Sequence, residues 1–287
     1  MNDYIINGTY TFSIIYKKNN TLVIENPEYP EYLLKLSDKD FKSSQIQSKI
    51  LSSIPDENNN ICRIHHTQIY DDNAKIRTVE LIDKLHGTPK PEYSKNDIEN
   101  VFKATKQLHC KLNESTDKYH KDLPSIGPLF SSIIDSTLNP TLKVIANRVQ
   151  NDYAYEKFLD AEKQYIIFAD MVYENILIDK DKINIIDLDP LILGPKRLQF
   201  SILLTSNILI QSNQFKNLSM DLINHYTNLW GIEKISREDL IALSIFPLLI
   251  LSMKQVDIDL ISEKQDSIYF KLKTILSFII AELDNVT

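Results

Sequence analysis

The sequence predicts an α+β protein of two lobes, a small β-rich N-terminal lobe and a larger, mostly helical C-terminal one. Three observations carry that prediction. Short β-type runs broken by turn-forming residues fill roughly the first eighty positions. Amphipathic helical patterns dominate from Ser94 onward. Within the helical region, the stretch "IIFADMVYENILIDKDKINIIDLDP" (166–190) returns to β-type runs. With 287 residues and 43% hydrophobic content, the chain can bury a sizeable core in one large domain or two lobes.

Taken in order, residues 4–36 read as strands. "TFSIIY" and "YLLKL" are rich in β-branched and aromatic residues and are separated by the turn formers "KKNN" and "NPEYP". Residues 40–54 place Phe41, Ile46, Ile50, Leu51 and Ile54 near helical spacing. "ICRIHHTQIY" and "IRTVELI" follow as two strands joined by the turn "DDNAK". "SKND" opens the helical lobe with a capping box, Asp97 standing three residues after Ser94. Ile98, Val101, Phe102, Leu108 and Leu112 then share one face. "YIIF", "NILI" and "INIID" are short β-type runs, with "DKDK" (179–182) a charged turn between the last two. Helices are expected over 198–212, 218–230, 237–253 and 266–283, the last with Leu272, Leu276, Ile279, Ile280 and Leu283 on one side. The expected division is an N-terminal lobe over 1–80, a connector over 81–93 and a C-terminal lobe over 94–287. A short connector between two lobes leaves a cleft, where ligands commonly bind.

Composition narrows the function classes. The formal net charge is −7 and no Lys/Arg block supplies a basic face, so no nucleic-acid partner is expected. The longest apolar run, 240–253, is broken by Pro247 and falls short of the roughly 20 residues a membrane span needs, so it reads as a buried helix. The N-terminal residues lack the charge and apolar pattern of a signal peptide. Cys62 and Cys110 have no CxxC spacing, which argues against a disulfide framework or zinc site and fits a reducing cytoplasm. Five glycines are few for a protein that grips phosphate through a glycine-rich loop.

The stretch 166–190 concentrates the chemistry. Asp170 and Asn175 lie on the loop between "YIIF" and "NILI", and Asp187 ends the second strand of the following hairpin. An antiparallel hairpin brings its open ends together, so Asn175 and Asp187 can face one spot. Carboxylate and amide oxygens are hard ligands suited to magnesium, which binds through one or two protein groups plus substrate phosphates. Asp170 could then hold a hydroxyl nucleophile in line with a metal-bound phosphate. Asp and Asn are also ordinary turn residues beside strands, and the joint spacing D-x4-N-x11-D is what favours a site. A calcium loop at "DKDKINIIDLD" is rejected, because Asn184 occupies the position that needs glycine and hydrophobic residues fill the interior.

Segments "FADMVYEN" and "NIIDLD" resemble the catalytic region of the aminoglycoside phosphotransferase-like kinases, whose pattern is H-x-D-x4-N followed by a strand ending in I-D. "YLLKL" resembles that family's nucleotide-lysine strand, "TVELIDKLHGTP" its hinge strand and following G-x-P, and "ATKQLHCKL" its helix ending in LH-x-L. The resemblance runs from about residue 5 to 210 and implies a protein-kinase-like fold. It also implies transfer of the γ-phosphoryl group of ATP (or GTP), with Mg2+, to a hydroxyl of a small molecule or peptide, such as an antibiotic or metabolite. Carried over, Lys35 pairs with the α/β-phosphates, and Gly8 and Thr9 of "NGTYT" belong to the phosphate-covering loop. The backbone of Glu80, Leu81, Ile82 and Asp83 bonds the base edge, Asp170 is the catalytic acid–base group, and Asn175 and Asp187 hold the metal.

The chain also departs from the family. Phe168 replaces the histidine, the helix acid that pairs with the lysine is matched only by Gln45 or Gln47, and Gln199 stands where a later acid is expected. These departures carry the alternative reading, a pseudokinase that binds or supports a partner. His109 is expected to face the lobe core, and His65–His66 to place one ring inward with no ligand role. Asp189 is either a metal ligand or an acid supporting one, or else a solvated strand-end residue. The acidic run Asp257, Asp259, Glu263 and Asp266 offers either recognition of a cationic acceptor or a solvated loop.

Overall fold

The computed structural model describes residues 4–6, 10–18, 21–25, 27, 29–54, 61–71, 76–114, 117–160, 163–210, 212–261 and 268–285. Its N-terminal lobe is one antiparallel sheet with a helix against it. Strands β1 (Tyr4–Ile6), β2 (Tyr10–Lys18), β3 (Thr21–Glu25), β4 (Tyr32–Ser37), β5 (Ile64–Asp71) and β6 (Ile76–Asp83) lie in the order β1-β2-β3-β4-β6-β5. Helix α1 (Phe41–Ser52) starts at Asp40, whose carboxylate accepts from the Ser43 amide. Strand β6 continues to Asp83, three residues into the segment expected as connector, because β4 pairs with it as far as Tyr32↔Asp83.

Side-chain alternation gives the sheet two faces. Leu22, Ile24, Leu34, Leu36 and Val79 form a small apolar cluster on one. Val23, Leu33, Lys35, Glu80 and Ile82 turn to the other, which lines the cleft. The alternation breaks at His65–His66. A bulge between Ile64 and His66 leaves both rings exposed, so neither points inward as the strand pattern suggested.

Beyond the connector come α2 (Lys95–Leu112), α3 (Ile126–Asp135), α4 (Pro140–Gln150) and α5 (Tyr153–Leu159). Strands β7 (Tyr165–Phe168), β8 (Ile176–Asp179), β9 (Lys182–Ile185) and β10 (Leu191–Gly194) follow, then α6 (Lys196–Leu203), α7 (Met220–Trp230), α8 (Arg237–Met253) and α9 (Ile268–Asn285). The Ser94–Asp97 capping box forms as expected, and Ser236–Asp239 makes a second one at α8. Helix α8 is buried on nearly every side, packed against α3, α4, α5, α6 and α9, which explains why its sequence is apolar all round.

Two features differ from the sequence reading. β7 pairs with β10, a strand the sequence did not announce, while β8 and β9 form their own hairpin. The helix expected over 198–212 ends at Leu203 and passes into a π-helical turn, Leu204–Ile208. The connector runs close to the hairpin. Gly87 has φ +114°, and a Cβ there would come within 2.9 Å of the Ile178 carbonyl carbon, so glycine is required. The two cysteines are free, and burial pushes the Cys62 thiol up to about 12. Among the described residues no helix is long and apolar enough to cross a membrane.

Candidate active site

The cleft between the lobes holds a cavity of about 420 Å³. Val23, Leu33, Ile64, Ile82, Leu177 and Ile186 make it an apolar slot suited to a planar ring, and Lys35, Glu80, Asn175 and Asp187 stand at its polar side. Lys35 projects from β4 and donates from Nζ to Asp187 Oδ1 at 2.7 Å. Burial works against the ammonium charge. Asp187, then Glu80 and Asp189, more than offset it and hold the Lys35 pKa above its ordinary value. Asp187 has φ 51°, left-handed backbone that a non-glycine residue adopts only where its surroundings impose it.

Opposite Lys35, the loop from β7 to β8 closes in a short 3₁₀ turn, Tyr173–Asn175. Asn175 Nδ2 donates to both the backbone carbonyl and Oδ2 of Asp170, each at 2.9 Å, and lies 3.5 Å from the Asp187 carbonyl. The Asn175 carbonyl accepts from the Ile186 amide at 2.9 Å. Asp170, Asn175 and Asp187, spread over eighteen positions, thus stand side by side with Lys35. Burial, then the neighbouring Asp187 carboxylate, pushes Asp170 up to about 6, against the Asn175 hydrogen bond that favours the charged form.

Buried amides brace this loop. One edge of β7 pairs with β10, and two side chains take the place of a strand along the other. Gln199 accepts from the Phe168 amide at 3.0 Å and donates to its carbonyl at 3.2 Å. Asn113 accepts from the Ile166 amide at 2.7 Å and donates to its carbonyl at 3.1 Å. Further along, the Ala169 amide donates to the Pro190 carbonyl, and the Ser206 hydroxyl, in the π-helical turn, donates to the Met171 carbonyl at 2.7 Å. Gln199, which in the sequence stood out only as a missing acid, is therefore the clamp behind Asp170. Phe168 fills the core beneath the loop with no exposed surface.

A second cation was missed by the sequence reading. Lys39, just past β4, lies 3.5 Å from Glu80 Oε1 and 3.4 Å from Asp189 Oδ1, and it donates to Gln47 of α1. Glu80 also accepts from the Ser44 hydroxyl of α1. Of the two helix amides considered as partners for Lys35, Gln45 is exposed and Gln47 bonds Lys39 instead. Burial raises the pKa of Asp189, and Lys39 opposes that effect. This lysine is hidden in the sequence because nothing local distinguishes it from a surface residue after a strand.

The expected base-edge contacts need correction. Strands β4 and β5 flank β6 on both sides, so the backbone groups of Glu80, Leu81 and Ile82 belong to the sheet ladders. Glu80 contributes its side chain, and Leu81 turns from the cleft. The Asp83 carbonyl, which lies 3.3 Å from the Cys62 thiol, and Leu85 line the cavity where the strand ends. Among the described residues the Leu85 amide donates to no backbone carbonyl. Gly8 and Thr9 lie outside the described residues. Thr21, the first residue of β3, lines the cleft.

His65 Nε2 meets Asp83 Oδ1 at 2.6 Å on the outer side of the sheet. His109 is buried as expected, between Tyr165 and Trp230, and burial drives its pKa down to about 3. The described half of the acidic run, Asp257 and Asp259, does not gather at the cleft. Asp257 accepts from Asn139 and Asp259 from Thr141, both at the start of α4, while Glu263 and Asp266 lie outside the described residues.

The donors suit a hard divalent cation. Asn175 spends its N–H groups on Asp170, which leaves Oδ1 to coordinate, and the Asp187 side chain is 38% exposed toward the cavity. Among the described residues no three His, Cys, Asp or Glu side chains cluster to hold a metal unaided. One carboxylate and one amide are what magnesium uses when phosphates complete its shell.

No protein-family profile and no curated protein matches the chain. Solved structures do. An amicoumacin kinase, in complex with AMP-PNP, calcium and amicoumacin, aligns over 93% of this chain and 88% of its own, with 13% identity and a TM-score of 0.65. A spectinomycin phosphotransferase in complex with ADP and spectinomycin aligns over 95% and 93%, with 13% identity and a TM-score of 0.58. An aminoglycoside phosphotransferase from Streptomyces rimosus aligns over 83% and 92%, with 16% identity and a TM-score of 0.59. The chain therefore has the two-lobed, protein-kinase-like fold of the aminoglycoside phosphotransferases, α+β with an N-terminal antiparallel sheet and a mostly helical remainder.

Proposed function

We propose that this chain is a kinase that transfers the γ-phosphoryl group of ATP (or GTP) to a hydroxyl of a small molecule. The observation that carries the reading is the meeting of Lys35, Asp170, Asn175 and Asp187 in one cleft, at the junction of two cavities. The first cavity suits a nucleotide, its base between the apolar walls and against the Asp83–Leu85 backbone. The second opens on Asp170 from the helical lobe and suits an acceptor. The similar structures of known kinases contain AMP-PNP or ADP together with an antibiotic.

In this reading Lys35 turns its ammonium from Asp187 to the α/β-phosphates. Asn175 and Asp187 would hold magnesium, which would supply neutralisation of charge developing on the phosphates. Asp170 orients the acceptor hydroxyl and takes its proton. The new bond joins the hydroxyl oxygen to the γ-phosphorus, the bond to the bridging oxygen breaks, and the nucleoside diphosphate leaves with that electron pair. The chain's own contribution is positioning, which the braced loop supports.

A second reading, a pseudokinase that binds nucleotide without using it, is favoured by the Lys35–Asp187 contact and by Gln47 in place of an acid on α1. The two are separated by titrating ATP and GTP, with and without magnesium, against the melting temperature, then measuring nucleotide hydrolysis. Nucleotide at a hundred times its Kd adds about 2.7 kcal/mol of stability. The magnesium-dependent share should vanish in Asp187→Asn. Hydrolysis should fall about 10²- to 10⁴-fold in Asp170→Asn. Hydrolysis equal in both variants and the wild type rejects the enzyme; binding without any hydrolysis selects the pseudokinase.

A further inference from the structure

The second cavity, also about 420 Å³, runs from the catalytic loop into the helical lobe. Its acids are all at one end. Asp170 and Asp187 have roles in the chemistry proposed above, and Glu174 is the remaining carboxylate among the lining residues. Thr21, Tyr173, Asn175 and Ser206 add neutral polar groups, and the wall toward the helical lobe is hydrocarbon: Val172, Ile210, Phe246, Ile250, Ile268 and Leu272. Phe246 and Ile250 are four residues apart on α8, and Ile268 and Leu272 four apart on α9, so each helix presents a paired apolar ridge. The helices pack against each other, and the ridges meet in one surface.

Among the described residues, the helical side of this chamber offers a polycation no carboxylate. Lys271 of α9 sets its ammonium 3.2 Å from the Ile210 carbonyl, beside the apolar wall. Asp257 and Asp259, the described acids of the segment joining α8 to α9, are engaged with Asn139 and Thr141. A molecule with several ammonium groups would strip some of them of water against aliphatic side chains, the described lining carboxylates all standing at the opposite end.

Resting on the kinase reading, we infer that the acceptor is an alcohol with a compact apolar body and at most one cationic centre, its hydroxyl at Asp170 and its hydrocarbon between α8 and α9. Of the two readings of the acidic run, a cationic acceptor or a solvated loop, this inference takes the second.

The test titrates the full chain calorimetrically with 1-adamantanemethanol, with a monohydroxy steroid and with neomycin, each with and without the magnesium complex of AMP-PNP. At least one of the apolar alcohols should bind about tenfold or more tighter than neomycin, with a negative heat-capacity change. Ile250→Glu and Ile268→Glu should each weaken that alcohol by about tenfold. Ile268 is 42% exposed, so its variant keeps the test valid if Ile250→Glu misfolds. Neomycin binding tighter than both alcohols, or alcohol affinity unchanged in the two variants, overturns the inference. If AMP-PNP binds and neither alcohol does, the inference fails and the kinase reading stands. If an alcohol binds through Ile250 and Ile268 while nucleotide does not, the chamber's chemistry is upheld and the kinase reading fails.

Discussion

The two sides of the cleft hold their polar groups by opposite means. In the helical lobe, Asn113 and Gln199 are buried, uncharged and bonded to both polar groups of the peptide they face, and His109 is buried and neutral. On the sheet side, Lys35 and Lys39 are charged residues that reach across the seam to Asp187 and Asp189, and Glu80 holds Lys39 from within the sheet. A neutral amide that satisfies a buried peptide fixes its geometry at modest cost in desolvation. A charge is costly inside a lobe, yet at a seam its partner can be exchanged for a phosphate or a metal. The loop that carries Asp170 therefore belongs to the lobe braced by neutral amides, and the paired charges belong to the boundary.

The largest expected effect strikes the side braced by amides. Gln199→Leu keeps the volume and leaves the Phe168 amide and carbonyl buried without partners. At about 1–3 kcal/mol for each group, stability should drop about 2–6 kcal/mol in urea unfolding. A loss under about 1 kcal/mol would show that the β10 pairing alone holds the strand, and the contrast would collapse.

Charges at the seam should matter less to the fold and should compensate one another. Lys39→Met leaves Glu80, 1% exposed, with the Ser44 hydroxyl and only the more distant Lys35 charge, and should cost about 1–3 kcal/mol. Adding Glu80→Gln should restore at least half of that loss, read from a double-mutant cycle. Strict additivity would mean that Lys39 and Glu80 do not act as a pair.

The smallest effect is a pH dependence. The folded pKa of His109, about 3, lies below its ordinary 6.5, so between those values the unfolded chain binds the extra proton. Stability is then complete above pH 6.5 and is lost as pH falls toward 3. Between pH 6.5 and 5.5 the loss should be about 1 kcal/mol. His109→Phe should flatten that portion of the stability–pH curve, and an unchanged curve would place the sensitivity elsewhere.

Legibility in the sequence followed the range of each interaction. The strands and helix of the N-terminal lobe, the Ser94 cap, the buried run at 240–253 and the apolar setting of His109 were readable, because each depends on neighbours within a turn or two. The D-x4-N spacing showed that Asp170 and Asn175 share a loop, and the structure joins them directly. Glu80, Leu81 and Ile82 were misread, because a strand's sequence does not say whether one or both of its edges are paired. The acidic run was open between a cationic ligand and a solvated loop, and the partners of its described acids, Asn139 and Thr141, could not be read locally.

By itself the sequence determined periodicity: which face of β4 carries Lys35, and which residues share the loop after Phe168. Tertiary structure alone decided the partners. Gln199 clamps a peptide 31 positions away, Asn113 one 53 positions away, and Lys35 meets an aspartate 152 positions along the chain. The reason is that side-chain direction repeats every two or 3.6 residues and is fixed locally, whereas a hydrogen-bond partner is chosen by which surfaces the whole core brings within 3 Å.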